Sequence, residues 1–238
     1  ASLPRFRLSG SDNRITAINA LPWMIPQAAF VVDIGTCSSY GGIPAATNKG
    51  SAQKTGAVSV AGACDYIKNT LGDSNFANFD PDNLAGNPNF TPIIQVPGCP
   101  PHPDWIVYPV AHYLATLTLP ALDPQGRPSA VFGTTPFCQN CSNAPTIGTT
   151  AQAQFLGDTG CIRPFGCKGH STMGDCPIRQ KNTMDDGTLT NWCVGAQGAG
   201  APSGHVATGL GEARHPCQGC IDPTFPDAMS PFYGPVSI

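Results

Sequence analysis

An α/β fold with a short parallel sheet, giving way to an irregular and cysteine-rich second half, is what this sequence predicts. Three observations carry that reading. Two brief apolar runs, residues 28–35 and 91–96, each lead into a glycine-bearing turn that holds a cysteine. Segments of helical periodicity follow them, at residues 56–72 and 102–119, which is the alternation expected of parallel strands joined by helices. Beyond about residue 120 the periodicity fades, and Gly, Pro, Asn, Thr and Cys take over.

Each element has its own justification. "AAFVVDIG" (28–35) is a continuous apolar run, the pattern of a strand covered on both faces, and it ends in Gly35-Thr36-Cys37. In "GAVSVAGACDYIKNTLG", Val60, Cys64, Ile67 and Leu71 recur at helical spacing, with Gly72 as the stop. "TPIIQV" (91–96) is a second short strand, again ending in Gly-Cys. "HPDWIVYPVAHYLATLTL" repeats apolar residues at Ile106, Val110, Tyr113, Leu114 and Leu117. Pro103 suits a helix start, and Pro109 inside the helix is expected to kink it. Residues 1–120 therefore read as the α/β part. Residues 121–238 hold too few apolar runs for a core and depend on their cysteines for order.

The stretch "VPGCPPHPDW" (96–105) sets one thiol among four prolines. Together with Gly98 they fix a turn at the edge of the sheet where open α/β folds bind ligands. Cys37 reaches the same edge. The turn aims a thiolate outward, beside a helix start whose free N–H groups favour negative charge.

Composition narrows the function. The 238 residues suffice for a core, but only 11% are charged, against roughly 25% in soluble domains. So little charge implies that much of the exterior is an interface. A net charge of −3 without a basic stripe argues against nucleic acid. No apolar run approaches the roughly 20 residues of a membrane span, since "INALPWMIPQAAFVV" is broken by Pro22 and Pro26. The sequence opens on "ASLPRFRL" without a secretory-signal pattern, so an upstream segment is expected.

Eleven cysteines are present, at 37, 64, 99, 138, 141, 161, 167, 176, 193, 217 and 220. An odd count cannot pair completely within the chain, and disulfide scaffolds tend to be much shorter. The tight spacings are "CQNC" (138–141), "CIRPFGC" (161–167), "CKGHSTMGDC" (167–176) and "CQGC" (217–220). One C-x-x-C is weak; two flanking four further cysteines make metal ligation the default. Zinc suits these pairs, and so do cubane iron–sulfur clusters.

"GTCSSYGGIPAA", "VPGCPPHPDW", "GCKGHSTMGDCP", "NWCVG", "HPCQGC" and "FPDAMSPFY", in that order from about residue 27 to 233, resemble the small subunit of nickel–iron hydrogenases. The resemblance implies a partial flavodoxin-like parallel sheet over 1–120 and an iron–sulfur domain over 121–238. It implies an electron relay with no catalytic residue of its own, working between the nickel–iron site of a large subunit and an acceptor protein or membrane cytochrome. Three [4Fe–4S] clusters are implied. Cys37 and Cys99 match two ligands of the proximal cluster. Cys138, Cys141, Cys161 and Cys167 match the distal cluster, and Cys176, Cys217 and Cys220 the medial one, with Cys193 as its fourth ligand. If Cys193 does not ligate, the medial cluster is [3Fe–4S].

Four departures mark this chain off. Cys138 stands where the family commonly has histidine, and no histidine lies within 25 residues of it. Cys193 stands where many members have proline. The 23 residues between Cys193 and Cys217 include a Gly/Ala-rich insertion. No C-x-x-C precedes Cys37, so two proximal ligands are expected from a segment or second polypeptide outside these residues. Members exported by a twin-arginine signal carry it on this subunit, which favours an extracytoplasmic or membrane-associated site over the cytoplasm.

Plainer roles fall to the rest. Cys64 reads as a core residue on its helix face. His102 reads as a structural hydrogen-bonder, His112 as packing, and His205 and His215 as solvated loop. His170, between two cysteines, is placed to contact a cluster without ligating it. Trp105 and Trp192 read as packing around the sites. Two other functions compete. The cluster-binding subunit at the quinone end of respiratory complex I shares the first half but lacks the cysteine-rich second half. A zinc- or disulfide-stapled binding module would have no redox role.

Overall fold

A computed structural model describes residues 5–7, 14–16, 20–21, 24–25, 28–47, 57–69, 91–140, 152–155, 161–176, 180–183, 189–191 and 216–230. Residues 1–101 and 106–128 form one compact unit; 102–105 and 129–238 form a second.

The first unit holds β1 (Arg5–Arg7), β2 (Arg14–Thr16), β3 (Val31–Ile34), α1 (Thr36–Tyr40), α2 (Val60–Asn69), β4 (Ile93–Val96) and all but the first turn of α3 (Pro103–Thr116). β1 and β2 pair antiparallel, with Phe6 opposite Ile15. β3 and β4 pair parallel from Val31↔Ile93 to Ile34↔Val96, which is the predicted parallel sheet. β4 is buried along its whole length, as its apolar run requires. Its Gln95 N–H donates to Gly126 O at 2.8 Å. That loop is held by Asp123, whose Oδ2 accepts from Arg127 Nε at 2.7 Å.

β3 departs from the expectation of a strand covered on both faces. Asp33 is 2% exposed and Ile34 50%. Alternation along a strand sends neighbouring side chains to opposite faces, and here the inward face belongs to the one charged residue of the run. Behind the sheet, Ile25, Cys64 and Ile93 form a core with Leu21, Val31, Val60 and Ala61 packed on it. Cys64 is fully buried, as its helix position predicts. Ser59 caps α2 through its Oγ, which accepts Gly62 N–H at 3.1 Å. Leu71 and Gly72 lie outside the described residues.

α3 begins at Pro103 and runs through Pro109. Tyr113 packs on Phe30 with ring centroids 5.0 Å apart. The apolar repeat is not its buried face: Val110, Leu114 and Leu117 are 41%, 73% and 76% exposed. Apolar residues occur all round this helix, so periodicity identified the helix without fixing which side turns inward.

The second unit holds α4 (Ser129–Phe132), the antiparallel pair β5 (Gln180–Thr183) and β6 (Leu189–Asn191), and single 3₁₀ turns at Phe137–Asn140, Arg163–Phe165 and Asp227–Met229. Its buried apolar side chains include Trp105, Phe132, Ile221, Phe225 and Met229. Trp105 stacks 5.2 Å from Phe132 and donates from Nε1 to Asp175 Oδ1 at 2.8 Å, so its packing role holds.

Asp33 and Gln95 are cross-strand partners, both buried. Asp33 Oδ2 and Gln95 Oε1 each lack a hydrogen-bond partner. Burial pushes the Asp33 carboxyl up to about 7, opposed by a hydrogen bond from Gln95. A proton on Oδ2 turns one of two orphaned acceptors into a donor. The raised pKa makes the protonated form the stable one when folded, so stability is full below about pH 4 and is lost as pH rises through about 7. Asp33→Asn is therefore expected to leave stability at pH 3 nearly unchanged and to raise it at pH 8. The gain at pH 8 is at most on the order of 4 kcal/mol. Thermal melts of the two chains at both pH values check this.

Candidate functional site

The ends of β3 and β4 carry the first pair of thiols. Cys37 and Cys99 each lie three residues beyond the last paired residues, Ile34 and Val96, so equal offsets bring them to one edge. Three hydrogen bonds join the two turns. Gly35 N–H donates to Val96 O at 2.9 Å and Thr36 N–H to Gly98 O at 3.0 Å. Gly98 N–H returns one to Thr36 Oγ1 at 2.9 Å. Cys37 sits in α1, which Ser38 and Ser39 tie back to the strand through bonds to Ile34 O and Asp33 O. Gly42 lies against it: a Cβ there would stand 3.2 Å from Cys37 Sγ.

Both thiols are exposed. Burial of its sulfur and the neighbouring Cys37 charge push the Cys99 thiol above its ordinary range. The anion-favouring pull expected from the helix start does not prevail. The first N–H groups of α3 are already taken by His102, whose Nδ1 accepts from Asp104 N–H at 3.1 Å and whose O accepts from Trp105 N–H at 3.0 Å. His102 is thus the structural hydrogen-bonder its position predicts. His112 packs at 6.0 Å from the Tyr108 ring.

The second unit gathers cysteines through loop contacts. Phe137 N–H donates to Thr172 O at 2.7 Å and Cys138 N–H to Gly169 O at 3.1 Å, which lays the 137–140 turn along residues 169–172. Gly169 permits this approach: a Cβ there would meet Phe137 Cδ1 at 2.7 Å and Cys167 Sγ at 3.4 Å. Cys161 pairs with the 152–153 segment, its O accepting from Ala153 N–H at 2.9 Å. Cys217 is brought in by its O, which accepts from Lys168 N–H at 2.7 Å. Gly174 lies between the Cys176 sulfur and Ile221, next to Cys220: a Cβ there would stand 3.9 Å from Cys176 Sγ and 2.6 Å from Ile221 Cδ1. Cys141 and Cys193, and with them His205, His215 and Trp192, lie outside the described residues.

Charge shows which of these thiols are neighbours. Cys138 is buried, and that burial raises its pKa. A hydrogen bond with its own backbone lowers it, the Cys167 and Cys161 charges raise it further, and Arg163 pulls it down. Three of the four residues aligned with one ligand set therefore share one local field. Arg163 Nε and Nη2 and His170 Nδ1 are buried without hydrogen-bond partners. Burial, then the Arg163 and Lys168 charges, hold His170 below the usual imidazole range. Sequence reasoning passed over Arg163. The signal was a cation between two cysteines in a chain poor in charge.

These residues fit a thiolate-ligated cluster: neighbouring thiols, cations beside them and buried nitrogens without partners. All nine described cysteines are free thiols. Among the described residues, no three His, Cys, Asp or Glu side chains converge on a point where one metal ion would sit.

Fold and residue content define an α/β protein with a parallel strand pair and a cysteine-rich second half. The family described as "NADH ubiquinone oxidoreductase, 20 Kd subunit" matches residues 8–113. The small subunit of the periplasmic [NiFeSe] hydrogenase of Desulfomicrobium baculatum is 33% identical over 94% of this chain and 58% of its own length. Small subunit 1 of the periplasmic [NiFe] hydrogenase of Nitratidesulfovibrio vulgaris is 29% identical over 88% and 52%. The solved recombinant [NiFeSe] hydrogenase of Desulfovibrio vulgaris Hildenborough superposes with a TM-score of 0.64 at 32% identity, over 95% of this chain and 68% of that one. The chain belongs to the hydrogenase small-subunit family. It spans between half and three fifths of these curated relatives.

Gly98 is the tightest point of the sheet-edge turn. A Cβ there would press on the Pro101 backbone, 2.7 Å from its nitrogen, whereas one at Gly35 would meet only Gly98 O at 3.6 Å. Gly35 carries a φ of +92°, a strain of about 1 kcal/mol for an alanine. Gly98→Ala is expected to cost roughly 2–4 kcal/mol and Gly35→Ala about 1 kcal/mol. Denaturant melts of the two variants would give the order, and equal losses would contradict it.

Proposed function

We propose that this chain is the electron-relay part of a nickel–iron hydrogenase. In this reading it works between the metal site of a large subunit and an external acceptor, an electron-carrier protein or a membrane cytochrome. The observation that carries the reading is the matched delivery of Cys37 and Cys99 from paired parallel strands, in a chain whose relatives are hydrogenase small subunits along nearly its full length. The 8–113 match alone would equally suit a complex I-like subunit. The 94% coverage by the Desulfomicrobium relative, cysteine-rich half included, favours the hydrogenase reading.

Three ligand sets follow. Cys37 and Cys99 hold the proximal cluster with two ligands from another segment or polypeptide. Cys138, Cys141, Cys161 and Cys167 hold the distal cluster. Cys176, Cys217, Cys220 and Cys193 hold the medial one, which is [3Fe–4S] if Cys193 does not ligate and [4Fe–4S] otherwise. Bound clusters supply one-electron steps. The chain's own residues supply thiolates at fixed positions, dry surroundings through Trp105, Phe137 and Ile221, and the cations that offset thiolate charge. Raised pKa values at Cys99 and Cys138 mean that ligation displaces protons from both. The Desulfomicrobium and Nitratidesulfovibrio relatives are named periplasmic, which supports an extracytoplasmic place. Among the described residues, no helix is long and apolar enough to cross a membrane.

The test is reduction by dihydrogen. In the anaerobic native complex, hydrogen is expected to bleach the broad visible absorbance and produce EPR signals of reduced clusters. A chain that stays unreduced under hydrogen while a dye acceptor is turned over would overturn the relay. Cys138→His is expected to keep the distal cluster and move its potential upward, on the order of 100 mV. Cys193→Pro is expected to convert a four-iron medial cluster to a three-iron one, seen as a new EPR signal in the oxidised state.

A further inference from the structure

Arg163 opens the single 3₁₀ turn Arg163–Phe165 between Cys161 and Cys167. Its backbone is firmly set. Phe165 N–H donates to Ile162 O at 3.0 Å and Gly166 N–H to Arg163 O at 2.9 Å. Gly166, at φ +95°, reverses the chain toward Cys167, a conformation side-chain-bearing residues avoid. Ile162 beside it is 7% exposed and anchors the turn.

The guanidinium has two buried nitrogens without partners, Nε and Nη2. Their N–H bonds lie along one edge of the planar group, the side-on fork that grips a pair of acceptors. Arginine does not shed its proton when buried, so a fork left without acceptors is a full cation in the wrong place. Its place in the fold identifies the complement. The turn that carries Arg163 links Cys161 to Cys167, and the bond from Cys138 N–H to Gly169 O at 3.1 Å lays Cys138 along the segment that follows Cys167. The cation thus belongs to the loop whose thiols become anions together when they ligate.

We propose that the Nε/Nη2 edge of Arg163 donates hydrogen bonds to sulfur of the iron–sulfur cluster held by Cys138, Cys161 and Cys167, and thereby raises that cluster's reduction potential. This rests on the distal ligand set proposed above. Four thiolates with sulfide give the cluster a net negative charge that grows by one on reduction. A fixed cation with two donors therefore favours the reduced state over the oxidised one. Thiolate and sulfide sulfur are the acceptors. No proton or bond is exchanged.

The test uses the native complex, purified anaerobically, with EPR-monitored redox titration. Arg163→Met keeps the side-chain bulk and removes cation and fork together. The distal cluster is expected to become at least tenfold harder to reduce, a downward shift of about 59 mV for a one-electron couple. Arg163→Lys keeps the charge without the fork and is expected to fall between. An intact distal cluster with unmoved potential in Arg163→Met overturns the proposal. If that variant loses the cluster, pulsed EPR on unmutated complex grown with ¹⁵N-arginine decides. Nitrogen coupling to the reduced distal cluster supports the contact, and its absence overturns it. Iron analysis of the unmutated complex separates the two levels: no iron on this chain ends the relay reading itself, whereas iron with no arginine coupling ends only this contact.

Discussion

Thiols gathered in one place resist ionising together, and the rest of this structure answers to that resistance. Burial first, and then the charge of Cys37, makes Cys99 a weaker acid; burial first, and then the charges of Cys167 and Cys161, does the same for Cys138. The free chain cannot draw the thiols together by their own attraction, because they have none. Backbone geometry must hold them near one another, and local charge must make their joint ionisation tolerable once a ligand arrives. Both needs explain features that burial alone would not produce, such as a guanidinium fork inside a cysteine loop.

The two units solve the geometric part differently. In the first, a parallel pair in register sets two turns side by side, and reciprocal bonds between Thr36 and Gly98 lock them. Regular structure does the positioning, so the thiols stay exposed at the sheet edge while β4 stays dry. In the second, little regular structure is present among the described residues. Close approach replaces it: Gly169 and Gly174 leave out side chains where Phe137 and Ile221 need the space. A small aromatic cluster around Trp105 and Phe132 supplies what core there is. Ligation is a natural source of further stability for such a unit.

Much of the scaffold was legible in the sequence. β4 follows from its apolar run, and Cys64 lies where its helix period put it. Other features were not. The exposed side of α3 was hidden because apolar residues surround that helix, so Val110 and Leu114 read like core. Asp33 was passed over as one charge in an apolar run, although strand alternation made it the inward residue. At the site, spacing picked out the grouped cysteines but not which loops meet. The contact of Cys138 with residues 169–172 depends on Gly169, an unremarkable glycine in sequence. Arg163 became visible only through its unpartnered nitrogens.

The central claim is that this chain presents thiolates to iron–sulfur clusters rather than to zinc or disulfides. Iron and acid-labile sulfide per chain in the anaerobically purified native complex, taken with intact masses of every polypeptide, test it most directly. The account expects about twelve iron on this part of the complex beyond any active-site iron, with matching sulfide. The masses would identify the source of the two remaining proximal ligands. A colourless, fully folded chain carrying stoichiometric zinc and no sulfide would contradict it.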